Sequence, residues 1–270
     1  MRSGSRNCGP CTEAGVRTEI VLTGSGRVKV WINGKRSMAP TSVWVARKLL
    51  PGGLGAKIRH TSDVPVGAGF GASGAGALGV ALALGSILGL GRRDAVAAAH
   101  QAEIVCRTGL GDVCAQAAGG LVIGVRPGAP PYGTVRRIRV RRDVEVVCCT
   151  LGGIRTSSAL ARGELVSRAK RIGGKAMREI LASPRLESFL RVSRWFAEEL
   201  GLMDAELREM CEIAERAGAI GASQAMLGRT VFAVCGPDKS RRVAGALAEV
   251  GGRVILTRIS AEGGRLLHAQ

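Results

Sequence analysis

Polar and apolar residues alternate over residues 16 to 32, "VRTEIVLTGSGRVKVWI", which reads as two strands joined by "TGSG". The next segment, "SMAPTSVWVARKLL", has helical spacing and reads as a helix beginning after Pro40. "GAKIRHTSDVPVG" returns to strand alternation and runs into a glycine-rich loop. The stretch from Val64 to Gly91 carries no charge. Its compact part, Gly74 to Leu88, reads as an apolar helix that stops at "GLGRR". A second helix is expected from Asp94, as N-cap, to about Arg107. "LVIGV", "IRV" and "VEVVCCTLG" follow as strands. From residue 157 to 217 the spacing is helical, as in "RLESFLRVSRWFAEEL". Two strands, "TVFAVCG" and "GRVILTRIS", then flank the helix "DKSRRVAGALAEV". Mixed elements followed by helices and a small strand unit predict an α+β fold of two lobes, residues 1–155 and 156–270.

Composition narrows the function classes. The chain has 270 residues, 46% hydrophobic and 22% charged, which is the make-up of a globular protein. Its net charge of +18 would attract anionic ligands or nucleic acid. The strongest sign of nucleic-acid binding is "VRRIRVRR", residues 135 to 142, where Ile138 and Val140 alternate with arginines, as in an edge strand with a basic outer face. Aromatic residues are only 3% of the chain, so stacking platforms are few, and no nucleic-acid partner is expected. The Gly74 to Leu88 helix would be roughly 22 Å long, short of the roughly 30 Å hydrocarbon core, and no membrane association is expected. "MRSGSRNCGP" has no apolar core of a secretory signal, so a cytoplasmic location is expected. Eight scattered cysteines do not form a disulfide framework. "CGPC", Cys8 to Cys11, has redox-motif spacing but lacks the preceding strand that a thioredoxin fold requires.

The candidate chemistry lies in "PVGAGFGASGAG", residues 65 to 76. Walker A spacing is absent, since "INGKRS" and "IGGKAM" lack its first glycine and its hydroxyl. A dinucleotide fingerprint matches at Gly69, Gly71 and Gly74, but Asp63 and Pro65 stand where its buried strand should end. The remaining mechanism is a loop whose backbone N–H groups wrap a triphosphate and which continues into a helix with its positive end toward the phosphates.

Here the chain resembles the GHMP kinase superfamily, whose second motif is Pro-x-x-x-Gly-Leu-Gly-Ser-Ser-Ala. "AAHQAEIVCRTGLGDVCAQAAGG", "GSRNCGPCTEAGV", "LGGIRTSSAL" and "SQAMLGRTVFAV" are similar to segments of archaeal pantoate kinases. The resemblance implies a two-lobed GHMP-type fold and ATP-dependent phosphorylation of the primary hydroxyl of (R)-pantoate, giving 4-phosphopantoate for coenzyme A. Another small hydroxy acid or alcohol, of mevalonate or homoserine type, is the alternative acceptor. It implies ATP binding by Pro65, Gly67, Gly69, Gly71, Ala72, Ser73, Gly74 and Ala75. Ser73 and Glu103 would hold Mg²⁺, and Asp112 would be the base. Pantoate would contact Ser5, His100, Arg126 and Thr156, and a homodimer is expected. Read alone, Asp112 and Ser73 could each be helix caps, Glu103 a solvated helix residue, Arg126 a surface arginine and His100 a core histidine. The chain begins at "MRSGSR", so the superfamily's first strand and early Pro-Gly-His motif are expected to be missing. "CGPC" replaces glycine and alanine of the family's early loop, and the third glycine motif is altered to "SQAMLGRT".

Overall fold

The computed structural model describes residues 2–153 and 163–267. The N-terminal part is built on a four-stranded sheet of β2 (Val16–Thr23), β3 (Val28–Ile32), β4 (Lys35–Ser37) and β5 (Gly55–Ser62), in the order β2-β5-β3-β4. The two strands flanking "TGSG" form as the alternation predicts, but they are not neighbours. β5 lies between them, antiparallel to β2 and parallel to β3. Four helices accompany this sheet: α1 (Pro40–Leu49), α2 (Ala72–Ile87), α3 (Arg92–Cys106) and α4 (Asp112–Ala118). α2 is the central one. Leu78, Val80, Ala81 and Leu84 are buried along with Gly74, Gly76 and Gly85, as expected for a helix that is apolar all round.

His60 is buried beneath α2. Its Nδ1 lies 2.9 Å from Thr18 Oγ1 and its Nε2 2.9 Å from Ser42 Oγ, which ties β5 to β2 and α1. Burial pulls its pKa down to about 4, so it is neutral at pH 7.

A second, antiparallel sheet of three strands joins β1 (Asn7–Pro10), β6 (Leu121–Arg126) and β7 (Thr134–Ile138) in the order β1-β6-β7. β7 is an edge strand with Ile138 buried and Arg136 and Arg137 exposed, although it ends at Ile138 and does not continue through residue 142. "CGPC" begins on β1. Cys11 Sγ donates to the Ala115 carbonyl at 3.2 Å, and burial pushes the thiols of Cys8 and Cys11 up to about 12 and about 11. Both therefore stay protonated near neutrality and are poor nucleophiles.

The third sheet, order β11-β8-β10-β9, is formed by β8 (Glu145–Gly153), β9 (Gly221–Ala225), β10 (Gly228–Cys235) and β11 (Arg253–Arg258). Its helices are α5 (Gly163–Ala182), α6 (Leu186–Leu200), α7 (Ala205–Arg216) and α8 (Ser240–Ala248). The period-2 alternation of β8 and β10 sorts their side chains between two cores. Val146, Cys148, Phe232 and Val234 face the cluster of α5, α6 and the β1-β6-β7 sheet. Val147, Cys149, Val231 and Ala233 face the cluster of α7 and α8. The division expected at residue 155 falls two residues after β8, although β8 pairs along its length with β10 and β11 of the C-terminal half.

One helix start differs from its expectation. α3 begins at Arg92 with Gly91 as N-cap, so Asp94 sits in the first turn instead of capping it. There its charge still favours the positive end of the helix. Among the described residues, no helix is long and apolar enough to cross a membrane.

Candidate active site

The loop between β5 and α2 turns on three glycines of positive φ: Gly67 at 82°, Gly69 at 90° and Gly71 at 65°. Only glycine adopts these values without strain. The loop is seated on the C-terminal sheet. Thr230 Oγ1 on β10 donates to the Ala68 carbonyl at 2.6 Å, and it lies 2.7 Å from Thr150 Oγ1 on β8. A Cβ on Gly69 would stand 2.6 Å from the Ala225 carbonyl oxygen. The turn between β9 and β10 thus supports the loop from below, and the N–H groups opening α2 have no partner within the helix.

Ser73 is the second residue of α2, and its Oγ lies 3.1 Å from Thr41 Oγ1 of α1. The N-cap of α2 is Gly71, and no side chain caps it. Glu103, on α3, is 1% exposed. Thr108 Oγ1 donates to its Oε1 at 3.3 Å, while Oε2 has no hydrogen-bond partner. Burial first, and the neighbouring Asp112 charge second, push Glu103 up to about 8, with the Thr108 bond opposing them. Asp112 is the first residue of α4, after the N-cap Gly111, and makes no capping hydrogen bond. Burial raises its pKa as well. The bland alternatives for these three residues are therefore removed: neither Ser73 nor Asp112 is a cap, and Glu103 is not solvated.

These groups converge at the start of α2. A Cβ on Gly71 would lie 3.3 Å from Asp112 Oδ2, and one on Gly74 would lie 3.0 Å from Glu103 Oε2. Gln116, which the sequence reading missed, stands between them. Its Nε2 donates to the Gly71 carbonyl at 2.9 Å, and its Oε1 is buried without a partner. Its spacing of four from Asp112 on a helix was the signal available to find it.

A cleft of about 1670 Å³ runs over this site, lined by Ser5, Gly67, Gly69, Gly71, Ala72, Ser73, Ala75, Glu103 and Asp112 among others. It exceeds the roughly 300–1,000 Å³ usual for one small ligand, which leaves room for two. Pro65 and Gly74 support the loop without lining the cleft, Gly74 being buried against Glu103. Ser5 is held by its N–H to the Leu110 carbonyl at 2.8 Å. His100 is 1% exposed and does not line the cleft. Its Nε2 lies 2.8 Å from the Ser3 carbonyl, bracing the segment that carries Ser5. Arg126 is exposed at the end of β6, outside the cleft lining. Thr156 lies outside the described residues.

The sequence model of the GHMP kinases N terminal domain matches residues 41–120, and that of the GHMP kinases C terminal domain matches residues 174–253. The chain belongs to the GHMP kinases. Within this kinase family it is similar to the pantoate kinase of Thermococcus kodakarensis, 33% identical over 83% of this chain and 75% of that protein. The pantoate kinase of Methanocaldococcus jannaschii is 36% identical over 66% of this chain and 64% of its own length. A solved structure described as a phosphotransferase related to the CoA biosynthesis pathway superposes with a TM-score of 0.88 at 29% identity, covering 99% of this chain and 92% of that one. The kinase fold thus extends over the whole described chain, and the glycine loop, Glu103 and Asp112 all fall inside the N-terminal match.

Proposed function

We propose that this chain is an ATP-dependent kinase that phosphorylates the primary hydroxyl of (R)-pantoate, yielding 4-phosphopantoate for coenzyme A biosynthesis. The observation that carries this reading is the convergence of Ser73, Glu103 and Asp112 on a glycine loop, in a chain with 33% identity to a pantoate kinase. The N–H groups of the loop and of the first turn of α2 receive the phosphates. Asp112 takes the proton of the acceptor hydroxyl. The freed oxygen bonds to the γ-phosphorus as its bond to the ADP oxygen breaks. A raised pKa suits Asp112 to that role, because a base works best when its pKa is near the working pH.

A divalent metal ion, Mg²⁺ on this reading, would neutralise charge on the phosphates when bound, and the residues present fit it. Glu103 Oε2 is an orphaned buried carboxylate oxygen, and the Ser73 hydroxyl belongs to the same helix start. Hard cations prefer such oxygen ligands. Among the described residues no group of three or more His, Cys, Asp or Glu side chains could hold a metal. The remaining ligands would therefore come from phosphate and water.

For the acceptor, Ser5 contributes from the cleft wall and His100 supports it from behind. Arg126 is assigned the acceptor carboxylate, for which its planar fork is suited. Exposed at the end of β6, it would have to reach the acceptor from outside the cleft lining. Thr156 completes the proposed contacts. The deciding experiment is ADP release with pantoate, mevalonate, homoserine and galactose offered in parallel. Turnover on pantoate alone supports the reading, and preferential turnover on mevalonate replaces it with the alternative acceptor.

A further inference from the structure

Two buried oxygens at the site have no donor. Gln116 Oε1 and Glu103 Oε2 are both without hydrogen-bond partners. They flank one spot: a Cβ placed on Gly74 would be 3.2 Å from the first and 3.0 Å from the second. Buried acceptors left unpaired are costly, so a donor is expected between them. Once Glu103 is ionised, no other side chain among the described residues supplies it.

The orientation of the Gln116 amide is set by its other end. Its Nε2 donates to the Gly71 carbonyl at 2.9 Å. Flipping the amide would bring two carbonyl oxygens face to face at that distance, so the oxygen end must point toward Glu103. Gly71 is the αL cap of α2 and the last glycine of the phosphate loop, while Gln116 shares a helical face with Asp112 four residues before it. One side chain therefore joins the loop, the carboxylate Glu103 and the helix of the base.

We propose that Gln116 is a positioning residue of this site. Its Nε2 fixes the phosphate loop on α4, and its Oε1, opposite Glu103 Oε2, accepts a hydrogen bond from water in the hydration shell of the bound divalent cation. This rests on the kinase reading above. Gly74 is the residue that lets both oxygens approach α2, since any side chain there would press on both.

The test uses the full chain and two substitutions. Gln116→Leu removes donor and acceptor, whereas Gln116→Glu keeps the acceptor and loses the N–H that holds the Gly71 carbonyl. Mn²⁺ binding is followed by its paramagnetic resonance signal at a saturating β,γ-imido analogue of ATP. Affinity for the analogue itself is measured calorimetrically at saturating Mn²⁺. Both variants should bind the analogue several-fold more weakly. Only Gln116→Leu should raise the Mn²⁺ dissociation constant, by about 10-fold, the lower end of the effect of losing an outer-shell partner. The KM for pantoate should be unchanged in both. Equal Mn²⁺ binding by wild type and Gln116→Leu would overturn the proposal, as would equal loss in both variants, which a merely structural brace would give. Absence of metal–nucleotide binding in the wild type would overturn the kinase reading, and the Gln116 assignment with it.

Discussion

Replacing Glu103 by glutamine tests the electrostatics of the site without any substrate. In the ligand-free fold Glu103 titrates at about 8, against an ordinary value of 4.5, because it is buried beside Asp112. Between those values the folded chain keeps the proton that the unfolded chain has released. Stability from this group is therefore lost as pH rises through the window. His60 acts in the opposite direction. Its folded value of about 4 lies below its ordinary 6.5, so its contribution is complete above 6.5 and is lost as pH falls toward 4. The interval from pH 6.5 to 8 separates the buried carboxylates Glu103 and Asp112, both raised by burial, from His60. Across it the cost is about 2 kcal/mol, from 1.36 kcal/mol per pH unit. That corresponds to a fall in Tm of roughly 4–8 °C for a domain of about 150–250 residues. Thermal melts of the apo protein at four pH values in this interval measure the slope. Glu103→Gln should flatten it and raise the Tm at pH 8, since the uncharged amide has no buried charge to desolvate. Saturating metal–nucleotide should flatten the wild-type slope as well, by replacing the proton with a cation. A wild-type Tm that is constant or rising from pH 6.5 to 8, or an undiminished slope in Glu103→Gln, would refute this account.

Asp112→Asn should lower turnover by on the order of 10²- to 10⁴-fold, the usual worth of a positioned proton acceptor, without lowering Tm, because the change removes a buried charge beside Glu103 and breaks no capping bond. Asp94→Asn, in the first turn of α3 and away from the cleft, should leave turnover intact; steady-state kinetics on both variants decide the matter. Gly69→Ala should lower stability by roughly 1–3 kcal/mol, since φ is 90° and the new methyl would meet the Ala225 carbonyl at 2.6 Å. Chemical denaturation gives that loss, and calorimetry should show weakened ATP binding. His60→Ala should cost about 2 kcal/mol or more by leaving the Thr18 and Ser42 hydroxyls without their partner. It should also remove the loss of stability between pH 6.5 and 5, which melts in that interval would reveal.

Much of the local structure was legible because it follows from solvation and backbone sterics within a few residues. The alternation of "VEVVCCTLG" became β8 with its two buried faces, and the apolar run after Ser73 became the buried helix α2. The glycines of residues 67 to 71 mark a backbone of positive φ whatever surrounds it. Resemblance to GHMP kinases, carried by residues spread along the chain, already placed Ser73, Glu103 and Asp112 together. Other features depended on partners distant in sequence. "GASQA" has no strand signature of its own, yet it forms β9 because β10 pairs with it. "TGSG" joins two strands that do not pair, since β5 lies between them. Seating of the loop on Thr230, burial of Glu103 and the bridging amide of Gln116 were likewise decided only by tertiary structure. Periodicity and chirality act on neighbours along the chain, whereas the pairing of a loop carbonyl depends on what the folded chain brings from 45 and 162 residues away.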